Sequence, residues 1–155
     1  IYAPCIWHGS GSLYQNSSVK KEPKFEKYFQ DGKDPLSELI EKAHKKGLQV
    51  HLWFYIAKGN KSVFPSFAKN GTPAGAFDLF NPDFQNFIVN EISMVVSRYD
   101  ADGIILDYVR TMGISLTQEA ISYYSKQSLD IKDSINQLEL LPQESQEKLL
   151  NCRRT

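Results

Sequence analysis

The stretch Asp34-Pro-Leu-Ser-Glu-Leu-Ile-Glu-Lys-Ala-His-Lys-Lys-Gly-Leu-Gln-Val-His-Leu-Trp-Phe-Tyr-Ile56 changes its period at Gly47. Before that glycine, Leu36, Leu39, Ile40 and Ala43 recur at helical spacing, with Asp34 as N-cap and Pro35 at the first helical position. After it, Leu48 to Ile56 is rich in aromatic and β-branched residues and reads as a strand. No room is left between them for a long connection. Alternation along the strand puts Val50, Leu52, Phe54 and Ile56 on one face, to meet helices, and Gln49, His51, Trp53 and Tyr55 on the other.

Outward from this unit the pattern repeats. Upstream, Ile1 to Trp7 is compatible with a strand, and His8 to Lys33 is a polar passage too long for an ordinary connection, which predicts a functional or a disordered loop. Downstream, Ala57 to Phe80 carries Gly59, Pro65, Gly71, Pro73 and Gly75 and ends at Asn81-Pro82, a second cap followed by proline. The next helix runs to Arg98, with Phe84, Phe87, Ile88, Ile92, Val95, Val96 and Tyr99 as its buried stripe. Asp100-Ala101-Asp102 leads tightly into Gly103 to Leu106, an apolar run typical of a parallel strand covered on both faces. Ser115 and Gln118 predict a capping box for a helix to Ser128, and the remainder reads as helical fragments broken at Pro142.

The order strand, helix, strand, helix, strand, helix predicts an α/β fold of about three parallel strands with right-handed crossover helices. Links from helix to strand are short, whereas those from strand to helix are long. In such folds the long loops gather at the carboxyl ends of the strands, where barrels and open sheets keep their active sites.

Composition narrows the field. The 155 residues are 41% hydrophobic and 23% charged, which excludes disordered, collagen-like and mucin-like chains. The 18 Lys+Arg balance 18 Asp+Glu, so no global field attracts nucleic acid or an acidic membrane surface, and any partner is read by a local site. No apolar run reaches the roughly 18 residues that would span a bilayer. Cys5 and Cys152 fit neither a zinc site nor a redox pair, and His8, His44 and His51 have no ligand spacing, so neither metal nor cofactor is expected. His44 reads as part of a solvated helix face, and Lys20, Lys21, Lys24 and Lys27 as part of a solvated loop. Asn16, Asn60 and Asn70 each open a glycosylation tripeptide.

Two positions stand out chemically. An entirely apolar interior would not choose His51, Trp53 and Tyr55 on one strand face, whereas a sugar-binding mouth would, with aromatic planes against sugar faces and polar tips bonding hydroxyls. Asp107 is the first charge past the apolar run of the third strand, on the face of Gly103 and Ile105, at the end where the loops are long. A carboxylate there can act as nucleophile, general acid or oxocarbenium stabiliser; the plain alternative is a salt bridge to Arg110 or a turn cap. Asp100 and Asp102 sit at the opposite end of the strand and read as turn and strand-start residues.

With these residues in view, the segment Asp34 to Phe54 resembles the helix-strand signature of glycosyl-hydrolase-like family 10. Asn81-Pro82-Asp83-Phe84, followed by Arg98-Tyr-Asp-Ala-Asp-Gly-Ile-Ile-Leu-Asp-Tyr-Val-Arg110, is similar to the next helix of that family and to its strand ending in Asp-Tyr-Ile-Arg. The resemblance implies a (β/α)8 barrel acting on a polysaccharide or glycan, with Asp107 matching the strand-end acid and His51 and Trp53 the inward-facing pair. It also implies a secreted or cell-envelope location. The sequence departs from the family where Thr111-Met112 follows Arg110 in place of Tyr-Pro, and where Ile56-Ala57 replaces Asn-Pro.

A whole barrel of this kind needs about 250 residues, so residues 1–155 are expected to be a segment of one barrel domain, incomplete at both ends, with the remainder supplied by the parent polypeptide. The expectation is a glycoside-hydrolase-like chain in which Asp107 is the catalytic carboxylate. Tyr108 and Arg110 orient it or the sugar, His51, Trp53 and Tyr55 line the cleft, and Asp78 offers a second carboxylate from the long loop. The alternatives are a non-catalytic glycan-binding barrel and an amylase-like transglycosylase, the latter disfavoured because Ile105 stands where an arginine would precede the acid.

Overall fold

The computed structural model describes residues 1–9, 11–15, 19–30, 32–59, 63–67, 75–110, 115 and 117–127. The glycosylation tripeptides at Asn16, Asn60 and Asn70, the helical fragments around Pro142, and Cys152 lie outside the described residues. In chain order the elements are β1 (Cys5–Trp7), α1 (Glu26–Gln30), α2 (Pro35–His44), β2 (His51–Tyr55), a 3-10 turn (Pro65–Phe67), α3 (Pro82–Arg98), β3 (Gly103–Asp107) and α4 (Gln118–Lys126).

The strands form one parallel sheet in the order β1-β2-β3. Together with the crossover helices this is a segment of a (β/α)8 barrel. Burial follows the alternation read along β2: Val50, Leu52 and Phe54 are inaccessible, while His51, Trp53 and Tyr55 are half-buried. The strands are shorter than the apolar runs suggest. Leu48 and Gln49 are exposed, and Val50 joins the sheet only through an isolated bridge to Tyr2.

The helices begin where their caps dictate. Asp34 Oδ1 accepts from the amides of Leu36 and Ser37, and Asn81 Oδ1 from that of Asp83, while Pro35 and Pro82 fill positions that need no amide donor. The stripe of α3 differs from expectation at two places: Val96 is exposed, and Glu91 is buried. The reason is a distant partner, because the buried Tyr14 hydroxyl donates to Glu91 Oε2 at 2.6 Å. Burial and that bond push the Tyr14 phenol far above its usual range.

That contact also sets aside the disordered alternative for the described part of residues 8–33. Tyr14, Val19 and Phe29 are buried, and the passage contains α1, so it carries its own packing. Tyr99 holds it to the helices, accepting from the Gln15 amide at 3.1 Å and donating to Asp34 Oδ2 at 2.8 Å. Burial and the Asp34 bond raise that phenol to about 12. Lys21 and Lys27 lie over the rings of Phe29 and Tyr28.

At the amino ends of the strands, Asp102 Oδ2 accepts from the Val50 amide and meets His44 Nε2, each at 2.8 Å. His44 is therefore a tether between α2 and β3. At the other end, α4 is capped by Thr117, whose hydroxyl accepts from the Ala120 amide, and not by Ser115, whose hydroxyl is committed to Asp78.

Two expectations follow. A Cβ at Gly59 would stand 1.9 Å from the Phe77 ring, so Gly59→Ala lowers the unfolding free energy of the full-length protein by about 2 kcal/mol or more in urea titration. The Asp102 carboxyl is held below its usual range, first by the Val50 amide and then by His44. The stabilisation it contributes is thus present above the ordinary carboxylate value of about 4 and lost as pH falls through the depressed folded value. The difference between urea melts of wild type and Asp102→Asn should be full above about pH 5 and shrink as the pH is lowered below about 4.

Candidate active site

The pairing of β2 with β3 sets His51 opposite Gly103, Trp53 opposite Ile105 and Tyr55 opposite Asp107. Cys5 on β1 pairs with Trp53. These residues share the face turned away from the helices. Gly103 makes room for the histidine, since a Cβ there would come within 3.1 Å of His51 Nδ1.

Aromatic rings run along this face towards the carboxyl end. Trp53 and Tyr55 have centroids 5.2 Å apart, and Tyr55 and Tyr108 also 5.2 Å. Lys58 places its ammonium 5.4 Å from the Tyr55 centroid, and the Arg110 guanidinium lies 4.8 Å from that of Tyr108. Arg110 thus stacks on the ring beside Asp107, and among the described residues it forms no salt bridge to that acid. Trp53 Nε1 is buried without a hydrogen-bond partner among the described residues.

Asp107 Oδ1 accepts from the Tyr108 amide at 2.7 Å, while the carbonyls of Asp107 and Tyr108 accept from the amides of Ile56 and Ala57 at 2.8 and 3.2 Å. Tyr108 has φ 56, the sole non-glycine residue with positive φ among those described. Such a conformation costs about 1–2 kcal/mol and persists where surrounding bonds over-determine it. Here the ladder continues one residue past the strand end, and the turn it forces hands the Tyr108 amide to the carboxylate.

The Tyr55 phenol is raised above its ordinary value, by partial desolvation first and by the negative charge of Asp107 second. It is therefore a hydrogen-bond donor at neutral pH. The Cys5 thiol is also pushed up, mainly by burial; its bond to the Trp7 carbonyl and the Lys58 charge oppose this, while Asp107 adds to it.

Asp78 lies apart from this row of rings. It is 1% exposed, its Oδ1 accepts from the Phe80 amide at 3.0 Å, and its Oδ2 accepts from the Ser115 hydroxyl at 2.6 Å. Oδ2 joins the loop before α3 to the segment before α4, while Oδ1 closes a turn within that loop.

Sequence reasoning missed Cys5, Lys58 and the contact of His8 with Glu22. His8 Nε2 and Glu22 Oε2 are 3.4 Å apart, with side chains 35% and 14% exposed. Alternation from Trp7 could have pointed to His8. Glu22 reaches β1 only through the folding of its loop, which no local pattern signals.

Parallel strands with outer helices, long loops on one side and a strand-end carboxylate among aromatic rings define a glycoside-hydrolase-like barrel segment. The family model described as Glycosyl hydrolase-like 10 matches residues 1–137, and the chain belongs to that family. Glycosyl hydrolase DigH of Escherichia coli (strain K12) is 30% identical over a stretch covering 49% of this chain and 22% of that relative, and DigH of Shigella flexneri matches equally. The chain therefore matches less than a quarter of the length of these relatives. Alpha-L-fucosidase isoenzyme 2 from Paenibacillus thiaminolyticus superposes with a TM-score of 0.62 at 16% identity, over 99% of this chain and 23% of that one. That likeness extends to the fold.

The electrostatic coupling has a direct readout. In Asp107→Asn the charge beside Tyr55 is gone, so the Tyr55 titration, followed by NMR of ring-labelled tyrosine, moves down towards the ordinary value of about 10. No movement would show the two groups to be uncoupled.

Proposed function

We propose that this chain carries the catalytic carboxylate of a glycoside hydrolase acting on a polysaccharide or glycan, and that the carboxylate is Asp107. The observation that carries the reading is its place. It ends β3 directly across from Tyr55, receives the Tyr108 amide, and opens on the loop-bearing side of the sheet. A carboxylate held in place by an amide is positioned to face the positive charge that develops at the anomeric carbon. Trp53, Tyr55 and His51 line the sugar cleft, the rings offering apolar planes and the phenol and imidazole bonding hydroxyls. Tyr108 and Arg110, stacked together, orient the acid or the sugar.

In this reading Asp78 is a loop pin and not the second acid, because its oxygens are already engaged and shielded. Further strands of the parent polypeptide pair with the open edges of β1 and β3 and close the barrel. The names of the DigH relatives and of the fucosidase support the substrate class. A secreted or envelope location, where such glycans are met, completes the proposal. Among the described residues no helix is long and apolar enough to cross a membrane.

Asn at position 107 keeps an oxygen for the Tyr108 amide, so Asp107→Asn in the full-length protein should melt within a few degrees of wild type. Reducing-end release from glycans should fall by about a hundredfold or more. Undiminished release would reject Asp107 as the catalytic group, and glycan binding without turnover by the wild type would favour a non-catalytic binder.

A further inference from the structure

Hydrolysis of a glycosidic bond uses two carboxyl groups on opposite sides of the scissile bond, and the cleft described so far supplies one. We infer that the second is Glu22, held by His8 and acting as the proton donor across the cleft from Asp107, an assignment that rests on the hydrolase reading above.

The placement comes from the loop after β1. Ser12 bridges back to Trp7 and onward to Lys21, and the Glu22 amide donates to the Ser12 carbonyl at 3.0 Å, so Glu22 is fastened to the carboxyl end of β1. Gly11 permits this, since a Cβ there would stand 2.8 Å from the Glu22 nitrogen. A register shift between Cys5 and Trp7 lets Trp7 pack towards the helices against Phe64 and Phe87 although Cys5 faces the other way, and alternation resumed from Trp7 turns His8 back to the side of Cys5. Gly9 then lies against the backbone of Lys58, where a Cβ would be 2.1 Å from the Lys58 carbonyl oxygen. The loop ends of β1 and β2 are thus pressed together at the mouth that holds Tyr55 and Asp107.

Spacing fits the chemistry. β1 and β3 flank β2, so their ends are about 10 Å apart at about 4.8 Å per strand, and groups reaching inward from both leave room for a water between them. Glu22 gives its proton to the glycosidic oxygen as the C1–O bond breaks, the bonding pair leaving with that oxygen. Water adds its hydroxyl to C1 while Asp107 takes the released proton, and exchange with solvent resets both groups. At 14% exposure Glu22 is largely screened from bulk water, and the His8 imidazole 3.4 Å away holds its orientation.

The test uses the full-length protein with two probes. One is a mixed pool of natural polysaccharides, read by reducing ends; the other is a panel of 2,4-dinitrophenyl glycosides, whose leaving group needs no proton. Glu22→Gln should lose polysaccharide cleavage by about a hundredfold or more yet keep dinitrophenyl glycoside turnover within about tenfold, while Asp107→Asn loses both. Should Glu22→Gln melt early, Glu22→Asp, which keeps an acid but withdraws it by one methylene, is expected to show the same split in milder form. Glu22→Gln matching wild type on both probes, or losing both equally with melting temperature unchanged, overturns the assignment and leaves Asp107 standing. Asp107→Asn active on both, or a wild type inert to both, overturns the hydrolase reading itself.

Discussion

Everything on the cleft side depends on the register between β2 and β3. It is held at one end by Asp102, whose carboxylate receives the Val50 amide, and at the other by amides of Ile56 and Ala57 bonded to the carbonyls of Asp107 and Tyr108. A slip of one residue would turn His51, Trp53 and Tyr55 to the helices and bring Leu52 and Phe54 to the cleft. It would also uncouple Asp107 from Tyr55. The aspartate at the amino end, far from any chemistry, therefore decides which side chains the mouth presents. Because it also meets His44, the same carboxylate carries the position of α2 into the register of the sheet.

The two ends of the strands solve different problems. At the amino ends the links are short and pinned by polar groups at the surface. At the carboxyl ends the connections are long, and they would be poor supports for a site if they were held only at their roots. They are instead packed from within. Tyr14 and Glu91 bond across 77 positions, and Ser115 and Asp78 across 37, in buried surroundings where an unmade hydrogen bond is costly. Phe64, Phe67 and Phe77 cluster with Phe84 and Phe87 of α3, adding an apolar layer under the second loop. The loops thus have cores of their own, which lets them hold side chains at the mouth.

This division explains what could be read from the residues alone. α2, α3 and β3 were legible because their signals are local: Asp34-Pro35 and Asn81-Pro82 mark starts, Gly47 marks a stop, and periodicity marks faces. The two faces of β2 were legible for the same reason. Glu91 was not, because a carboxylate enters an apolar stripe only when a partner far along the chain meets it, and Val96 is correspondingly left outside. Ser115 has the spacing of a cap, but Thr117 takes the role since Asp78 claims the serine hydroxyl. Among site residues, Asp107, Tyr55 and Trp53 could be placed by counting along strands. Lys58 and the His8–Glu22 pair depend on how separate loops meet, and the facing of Cys5 on a register shift within β1.

If the proposed hydrolase reading holds, the placement of two cations bears on how a sugar would be met. Lys58 and Arg110 each lie over an aromatic ring, Tyr55 and Tyr108 respectively, drawn by the negative potential of the ring face. A sugar presenting its C–H groups to an aromatic plane uses that same potential, so on these two rings it must take the opposite face or displace a cation. Trp53 has no cation described over it, and its indole N–H lacks a partner among the described residues. On the proposed reading the apolar stacking platform is Trp53, while near Asp107 the tyrosines and their cations make the face polar. On the proposed hydrolase reading, such a gradient, apolar below and cationic at the rim, would set a sugar against Trp53 with its polar groups towards the level of the carboxylate.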